Sequence, residues 1–446
     1  MTAPNTAPDN SLDTALDNDA LRSLIRPDRV HRDFYIDPDV FDLEMDRIFG
    51  RAWLFVGHAS QVPNRGDYIT TTIARQPVIM SRHRDGEVHV MFNRCTHRGA
   101  QVCLEQFGNA KRFECPYHAW VYNTDGSFAG APYPKGYEDG FLEKEKLDLV
   151  KIPRMAIYRG FVFGSLSADG PDIDEFLGPM KDHIDAFADR APDGEVEACA
   201  GVFRYRFAAN WKIQMENQTD VYHIMFTHVS TTDDKGRQFR REGAEEDEAG
   251  KVKVLADNAE LSDQWEQHPL GGHRYGHVYM GRFAMDKGNS GPVHDRYKAA
   301  METTYGDRAE DLMTVKTHNS IFYPQWSIQH LTQHIRVMNP ISVNCTENII
   351  IPLKLKGAPE EMWRASLRSN NNSHSPSGMV MSDDMEVWVR CQEGLATQST
   401  DWVVLARGMN ERANTDNLGS YESHGTSESG ARNQQAAWVD FMCGGS

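Results

Sequence analysis

Nowhere in its 446 residues does the chain hold an uninterrupted apolar run of about eighteen residues, the least that crosses a bilayer as a helix. No export is expected either, since MTAPNTAPDNSLDTALDNDA (1–20) has neither a basic n-region nor an apolar h-region. Positive charge is short. Against 64 Asp and Glu stand 47 Lys and Arg, a formal charge of -17, so the whole-protein field repels phosphate backbones and nucleic acid is not an expected partner. Cysteine is scarce and odd in number: Cys95, Cys103, Cys115, Cys199, Cys345, Cys391 and Cys443 are scattered along the chain. That usage argues against a disulfide framework and for thiolate chemistry in a reducing compartment. There is no internal repeat. The expectation is a cytoplasmic protein without a membrane segment.

What is present suffices for a large core. With 40% apolar residues over this length, two domains are expected. After a polar start, DPDVFDLEMDRIFGRAWLFVGH (37–58) reads as a helix with Phe41, Met45, Ile48 and Phe49 on one face. From residue 66 to 166 the text becomes short β-rich runs broken by turn signals such as RDGE and NTDGS, the pattern of a small antiparallel domain. A helix-like LGPMKDHIDAFADR (177–190) and an alternating strand GVFRYRFAAN (201–210) follow. Next comes WKIQMENQTDVYHIMFTH (211–228), which reads as a helix. Residues 231–300 are polar and rich in Gly and acid, suggesting surface loops or a lid. Strand-like runs return at 318–356, and DDMEVWVRCQEGL (383–395) reads as a helix. The predicted class is α+β. An N-terminal arm and helix (1–50) would precede an antiparallel β domain (51–168), and a larger α+β domain (169–446) would have an antiparallel sheet flanked by helices in a helix-grip-like arrangement.

The chemistry is concentrated in two stretches. NRCTHRG (93–99) and ECPYHAW (114–120) supply Cys95-x-His97 and, after seventeen intervening residues, Cys115-x-x-His118, both on loops of the β domain. Two loops that each offer one thiolate and one imidazole can hold two metals with different ligand sets, as a Rieske [2Fe–2S] centre does; the imidazoles raise its potential above that of an all-Cys cluster. Structural zinc also accepts two Cys and two His, but zinc modules usually pair Cys with Cys and His with His. Cys103 reads as buried packing, because four ligand positions are already filled.

A Rieske centre moves single electrons, so an oxygenase built on one needs a second metal. Asp220, His223 and His228 stand at i, i+3 and i+8, within roughly 140° on a helix, close enough to share a face. Two His and one carboxylate on one side of a non-haem Fe(II) leave the opposite positions open. Asp384, from MSDDMEVWVR, is the chosen distant carboxylate. Three classes stay open: a hydroxylating oxygenase, a pure electron-transfer Rieske protein, and a zinc-stabilised binding module. His223, His228 and Asp384 discriminate the first from the second, since an electron carrier has no use for an open triad.

On these residues the chain resembles the α subunits of Rieske non-haem iron aromatic-ring-hydroxylating oxygenases, from about residue 40 onward. The family's C-x-H-x17-C-x2-H motif is met by Cys95, His97, Cys115 and His118; its NWK…EN…D-x-x-H-x4-H motif by Asn210, Trp211, Lys212, Glu216, Asn217, Asp220, His223 and His228; its late DD by Asp383 and Asp384. The disulfide cysteines of respiratory Rieske proteins are here Ala100 and Tyr117. The spacing of ENQTD, with RVMNPISVNCTENI, resembles the benzoate-dioxygenase-like group, and oxygenase components acting on N-heteroaromatics, of the 2-oxoquinoline 8-monooxygenase kind, resemble it too.

The resemblance implies a terminal oxygenase that uses O2 and NADH-derived electrons to mono- or cis-dihydroxylate an aromatic or N-heteroaromatic ring. It implies a flavin and iron–sulfur reductase partner, directly or through a ferredoxin, and an α3 trimer with or without β subunits. It further implies that Asp220 joins His118 of one subunit to His223 of the next. Pocket walls are expected from 217–235, 273–335 and 370–390. There His273, His277, His318, His330 and His334 read individually as hydrogen-bonded structural residues.

Overall fold

The computed structural model describes residues 16–138, 140–142, 147–198, 201–228, 266–281, 290–410, 414–415 and 420–444. The first long helix, Pro38–Arg47, starts where Asp37 accepts the N–H groups of Asp39 and Val40, at 2.8 and 3.2 Å, with Pro at the first helical position. It is shorter than 37–58 reads in sequence. Leu54–His58 is instead a strand buried at every position, which is why its continuous apolar text carried no alternation to mark it.

That strand pairs antiparallel with Phe161–Ser165, which pairs with Arg154–Tyr158. A second antiparallel sheet takes the order Val88–Phe92, Gln76–Arg82, Asp67–Ile73, Phe107–Asn109, and a third the order Phe128–Gly130, Val121–Asn123, Arg112–Glu114. The RDGE and NTDGS signals both fall on hairpin turns of these sheets. A separate apolar cluster built on Ile79, Met91, Phe113, Trp120, Tyr122 and Leu149 lies under the two Cys/His loops.

Among the described residues, the larger unit holds an antiparallel sheet of ten strands. Its central run is Cys345–Leu355, His334–Ser342, Trp326–Gln329, Thr317–Phe322, His277–Gly281, Pro269–His273. One face carries Phe322 and Trp326, stacked at 4.0 Å; Trp326 also stacks on Phe55 of the smaller unit at 5.4 Å. Trp388 of the helix Met379–Leu395 packs on Phe207 of the same sheet at 4.7 Å. Part of the expected 231–300 loop region is regular: it holds two of these strands and the helix Pro292–Tyr305. Residues 231–265 and 282–289 of that expectation lie outside the described residues.

The 211–228 stretch is not one helix. Asn210 caps Trp211–Asn217, which stops at Gln218, and a single turn, Ile224–Thr227, follows. Local side chains explain the break: Thr219 Oγ1 donates back to the Glu216 carbonyl at 2.8 Å, and Asp220 Oδ1 accepts the Tyr222 N–H at 2.6 Å, offering the backbone an alternative to the helix.

Helix Trp211–Asn217 is anchored by charge. Glu44, wholly buried on Pro38–Arg47, binds the ammonium of Lys212, the indole N–H of Trp211 at 2.9 Å and that of Trp438 at 2.7 Å. Trp438 lies on the C-terminal helix Ser429–Cys443, so one carboxylate joins three distant segments. Glu44→Ala leaves Lys212 buried without its counter-charge and is expected to cost about 3–5 kcal/mol, whereas Glu44→Leu combined with Lys212→Met should cost less. Urea unfolding of the three proteins checks this.

Candidate metal centres

The two Cys/His loops are built alike. Cys95 N–H donates to the carbonyl five residues on, Ala100, at 2.8 Å, and Gly99 N–H returns to the Cys95 carbonyl at 2.9 Å. Cys115 repeats the pattern with Trp120 at 2.8 Å and Ala119 at 2.9 Å. The fourth residue after each Cys takes a positive φ, 78° at Gly99 and 52° at Ala119, so each chain end turns back over its own thiol. Asn93 ties off the first loop: its Oδ1 accepts from Val102 and Cys103 N–H at 2.8 and 3.0 Å, and its Nδ2 donates to the Cys103 carbonyl at 2.6 Å.

These loops bring Cys95, His97, Cys115 and His118 together. Both thiols are buried, and the two imidazole centroids stand 4.6 Å apart. His97 lies flat on Trp120 at 4.8 Å, and Tyr117 packs against His118 at 3.8 Å. Burial, with His118 and Arg98 nearby, lowers the pKa of His97 and keeps it the neutral base a metal needs. Both buried Nδ1 atoms, of His97 and His118, lack a hydrogen-bond partner within the chain, which fits their use as ligands. Cys103 stands apart. Burial pushes its thiol pKa up to about 12, so it stays a protonated packing group.

The second centre draws on two segments. His223 and His228 come from either side of the short turn after the broken helix, and Asp384 comes from Met379–Leu395, where Met381, Asp384 and Trp388 form the buried face. Asp384 Oδ1 lies 3.3 Å from His228 Nε2 and 3.6 Å from His223 Nε2, and one ligand atom from each of the three lies within 4.8 Å of the others. Ligands about 2.1 Å from a shared metal at right angles stand roughly 3 Å apart, so small movements suffice for a facial two-His, one-carboxylate set.

Each imidazole turns its other nitrogen to a further carboxylate: Asp220 Oδ2 is 3.5 Å from His223 Nδ1, and Asp383 Oδ2 is 3.6 Å from His228 Nδ1. Those partners favour Nδ1–H, which leaves Nε2 lone pairs aimed at Asp384. Burial opposes a charged His223, but the Asp220 hydrogen bond and the charges of Asp384 and Asp220 raise its pKa overall. Asp384 is likewise opposed by burial, yet His228, His223 and Arg336 hold its pKa below the ordinary carboxylate value.

The single helix face expected for Asp220, His223 and His228 does not form: the helix ends at Asn217, and the two imidazoles flank the short turn Ile224–Thr227. No spacing in the sequence marks Asn93, Trp120 or Tyr122, and Asn217, marked only through the resembled EN motif, places its Nδ2 3.5 Å from Asp384 Oδ1. The histidines read as structural do have such partners: His277 bonds the Phe176 carbonyl at 2.8 Å, and His330 meets Ser320 at 2.9 Å.

Known proteins share this construction. The chain matches the Rieske [2Fe-2S] domain over residues 52–151 and the ring hydroxylating alpha subunit (catalytic domain) over residues 197–444. It is 33% identical over 386 residues to the 2-halobenzoate 1,2-dioxygenase large subunit of Burkholderia cepacia, covering 85% of this chain and 80% of that one. To the toluate 1,2-dioxygenase subunit alpha of Pseudomonas putida it is 32% identical over 389 residues, covering 85% and 83%. The structure of naphthalene 1,2-dioxygenase from Rhodococcus sp. bound to indole superposes with a TM-score of 0.77 at 26% identity, covering 93% of this chain and 94% of that one. Fold and site together define a Rieske non-haem iron oxygenase, with a [2Fe–2S] cluster and a mononuclear iron as its cofactors. More particularly, the chain belongs to the ring-hydroxylating oxygenase α-subunit family and is a terminal oxygenase component.

Tyr122 touches Cys95 directly. Its hydroxyl accepts from Thr96 N–H at 3.2 Å and lies 3.1 Å from Cys95 Sγ; burial pushes its pKa up, so it remains an O–H donor to sulfur. A donor to a ligand sulfur favours the reduced, more negative cluster. Tyr122→Phe is therefore expected to keep the cluster spectrum and lower its potential by roughly 60 mV, about 1.4 kcal/mol for one electron, as read by a spectroelectrochemical titration.

Proposed function

We propose that Cys95, His97, Cys115 and His118 hold the Rieske cluster in a unit spanning 51–168, and that His223, His228 and Asp384 hold the mononuclear iron in a unit spanning 169–446, after the arm and helix of 1–50. The observation that carries this reading is the convergence of two imidazoles and one buried carboxylate, each imidazole backed by its own acid, in a chain that also carries paired Cys/His loops. Bound iron supplies O2 activation and oxygen insertion into a ring. The chain's own part is to hold the ligands: Asp220 and Asp383 set the imidazole tautomers, and Asn217 orients Asp384.

Electrons come from NADH through a separate flavin and iron–sulfur reductase, directly or by a ferredoxin, in the cytoplasm. The substrate is an aromatic or N-heteroaromatic ring. Asp220 links subunits head to tail in an α3 trimer, to which β subunits can add, by accepting a hydrogen bond from His118 of a neighbouring copy. Supporting this, the Asp220 side chain is 38% exposed although it faces His223, and the neighbouring Tyr222 and Phe226 are exposed, as is Tyr117 beside His118. Apolar rings around both ends of the proposed link suit a subunit contact.

Two experiments test the reading. His223→Ala or Asp384→Ala should remove mononuclear iron and turnover but leave the visible Rieske spectrum, because the two donor sets sit in different units; an Asp384→Ala protein with full iron content would place the third ligand elsewhere. Asp220→Asn should retain fold, cluster and much of the iron, while reoxidation of the pre-reduced cluster by O2 and substrate slows on the order of 100-fold. Wild-type reoxidation in a single-turnover measurement would remove Asp220 from the link.

A further inference from the structure

Beside the helix Trp211–Asn217, among the groups that anchor it, lies a cavity of about 10 Å3, room for one water molecule. Three segments supply its polar lining. Lys212 and Glu216 come from the anchored helix, Tyr323 from the link between strands Thr317–Phe322 and Trp326–Gln329, and Gln434 and Gln435 from the C-terminal helix Ser429–Cys443.

Two of these side chains have unmatched polar atoms. Gln434 is 4% exposed, and neither its Oε1 nor its Nε2 has a hydrogen-bond partner within the chain; Tyr323 is 2% exposed, and its hydroxyl has none either. Burial, with the charges of Glu44 and Glu216, pushes the Tyr323 pKa well above its ordinary value, so the group is an O–H donor. Glu216 accepts from the Tyr35 hydroxyl and from Gln435 Nε2, and a carboxylate, with about four acceptor positions, has capacity for a further donor. A buried amide and hydroxyl left unmatched are costly, so an occupant that satisfies them is strongly favoured.

The lining narrows what that occupant can be. A cation meets the Lys212 ammonium, an anion meets Glu216 and the Glu44 carboxylate paired with Lys212, and an apolar guest satisfies neither the amide nor the hydroxyl. Water has the size, and it both donates and accepts.

We propose that this cavity is the binding site of one ordered water molecule, which accepts the Tyr323 O–H and donates to the Gln434 amide oxygen and to a Glu216 oxygen. It joins the central sheet and the C-terminal helix to the last turn of the helix that leads into the metal segment. There the Glu216 carbonyl takes the Thr219 hydroxyl, and the next residue, Asn217, reaches Asp384. The water is thus a support for the chain break beside the mononuclear site.

A crystal structure of the cluster- and iron-loaded protein tests this. The expected result is a solvent peak within hydrogen-bond distance of both the Gln434 side chain and the Tyr323 hydroxyl; a cavity without density, or a Gln434 amide turned to bond protein groups directly, would overturn the proposal. The sign of the Gln434→Leu effect is a second test. Leu nearly matches Gln in shape, so if the amide has no partner its loss is stabilising and the melting temperature rises. If the amide holds the water, the variant strands the Tyr323 O–H and takes a donor from Glu216, and the melting temperature falls by ~2 °C. Tyr323→Phe should lower it by a similar amount, and the double variant by no more than the larger single loss, because both changes release the same water. A rise in Gln434→Leu, or fully additive losses, would count against the site. If either variant fails to retain the cluster spectrum, the crystal structure decides alone.

Discussion

One buried carboxylate holds the catalytic frame in place. Glu44 gathers an ammonium and two indole N–H groups, from Lys212, Trp211 and Trp438, in a region from which water is excluded. Such a charge is tolerable only when its partners are all present, so the N-terminal helix, the helix that precedes the metal segment and the C-terminal helix must come together as a set. A second carboxylate repeats the arrangement nearby: Glu216 accepts from Tyr35 at 2.7 Å and from Gln435 at 3.2 Å, and burial raises its pKa to about 7. The segment carrying Asp220 and His223 leaves the end of a helix fixed at both its start and its last turn.

The two metal centres solve the same problem with different supports. At the cluster, the backbone does the positioning: two matching turns direct two thiols and two rings, and Trp120 fixes the plane of His97. At the triad, side chains do it, with an acid behind each imidazole and an amide beside the shared carboxylate. The difference follows from location. The Cys115 loop is the connection of a hairpin and the Cys95 loop a longer link between strands that do not pair, whereas the triad joins a broken helix to a long one.

Much of this was legible in the chain. Alternation marked Phe203–Phe207, strand-like runs marked the paired strands after 317, and the RDGE and NTDGS turns marked two hairpins, because turn chemistry and period are local properties. Leu54–His58 was misread as helix because a strand buried on both faces has no period. The 211–228 stretch was misread because its apolar spacing suits a helix, while the Thr219 and Asp220 side chains that interrupt it compete through hydrogen bonds no periodicity records.

By itself, the sequence determined which atoms are available for metal: two Cys/His pairs at fixed spacing, two further histidines, and a double acid on an amphipathic helix. Ligand chemistry depends on residue type, and residue type is written in the chain. Only the tertiary structure decided how those atoms divide their work. Asp384 lies against both Nε2 atoms while Asp383, one residue earlier, sits behind His228, because a helix turns successive side chains about 100° apart and only one can face the shared point.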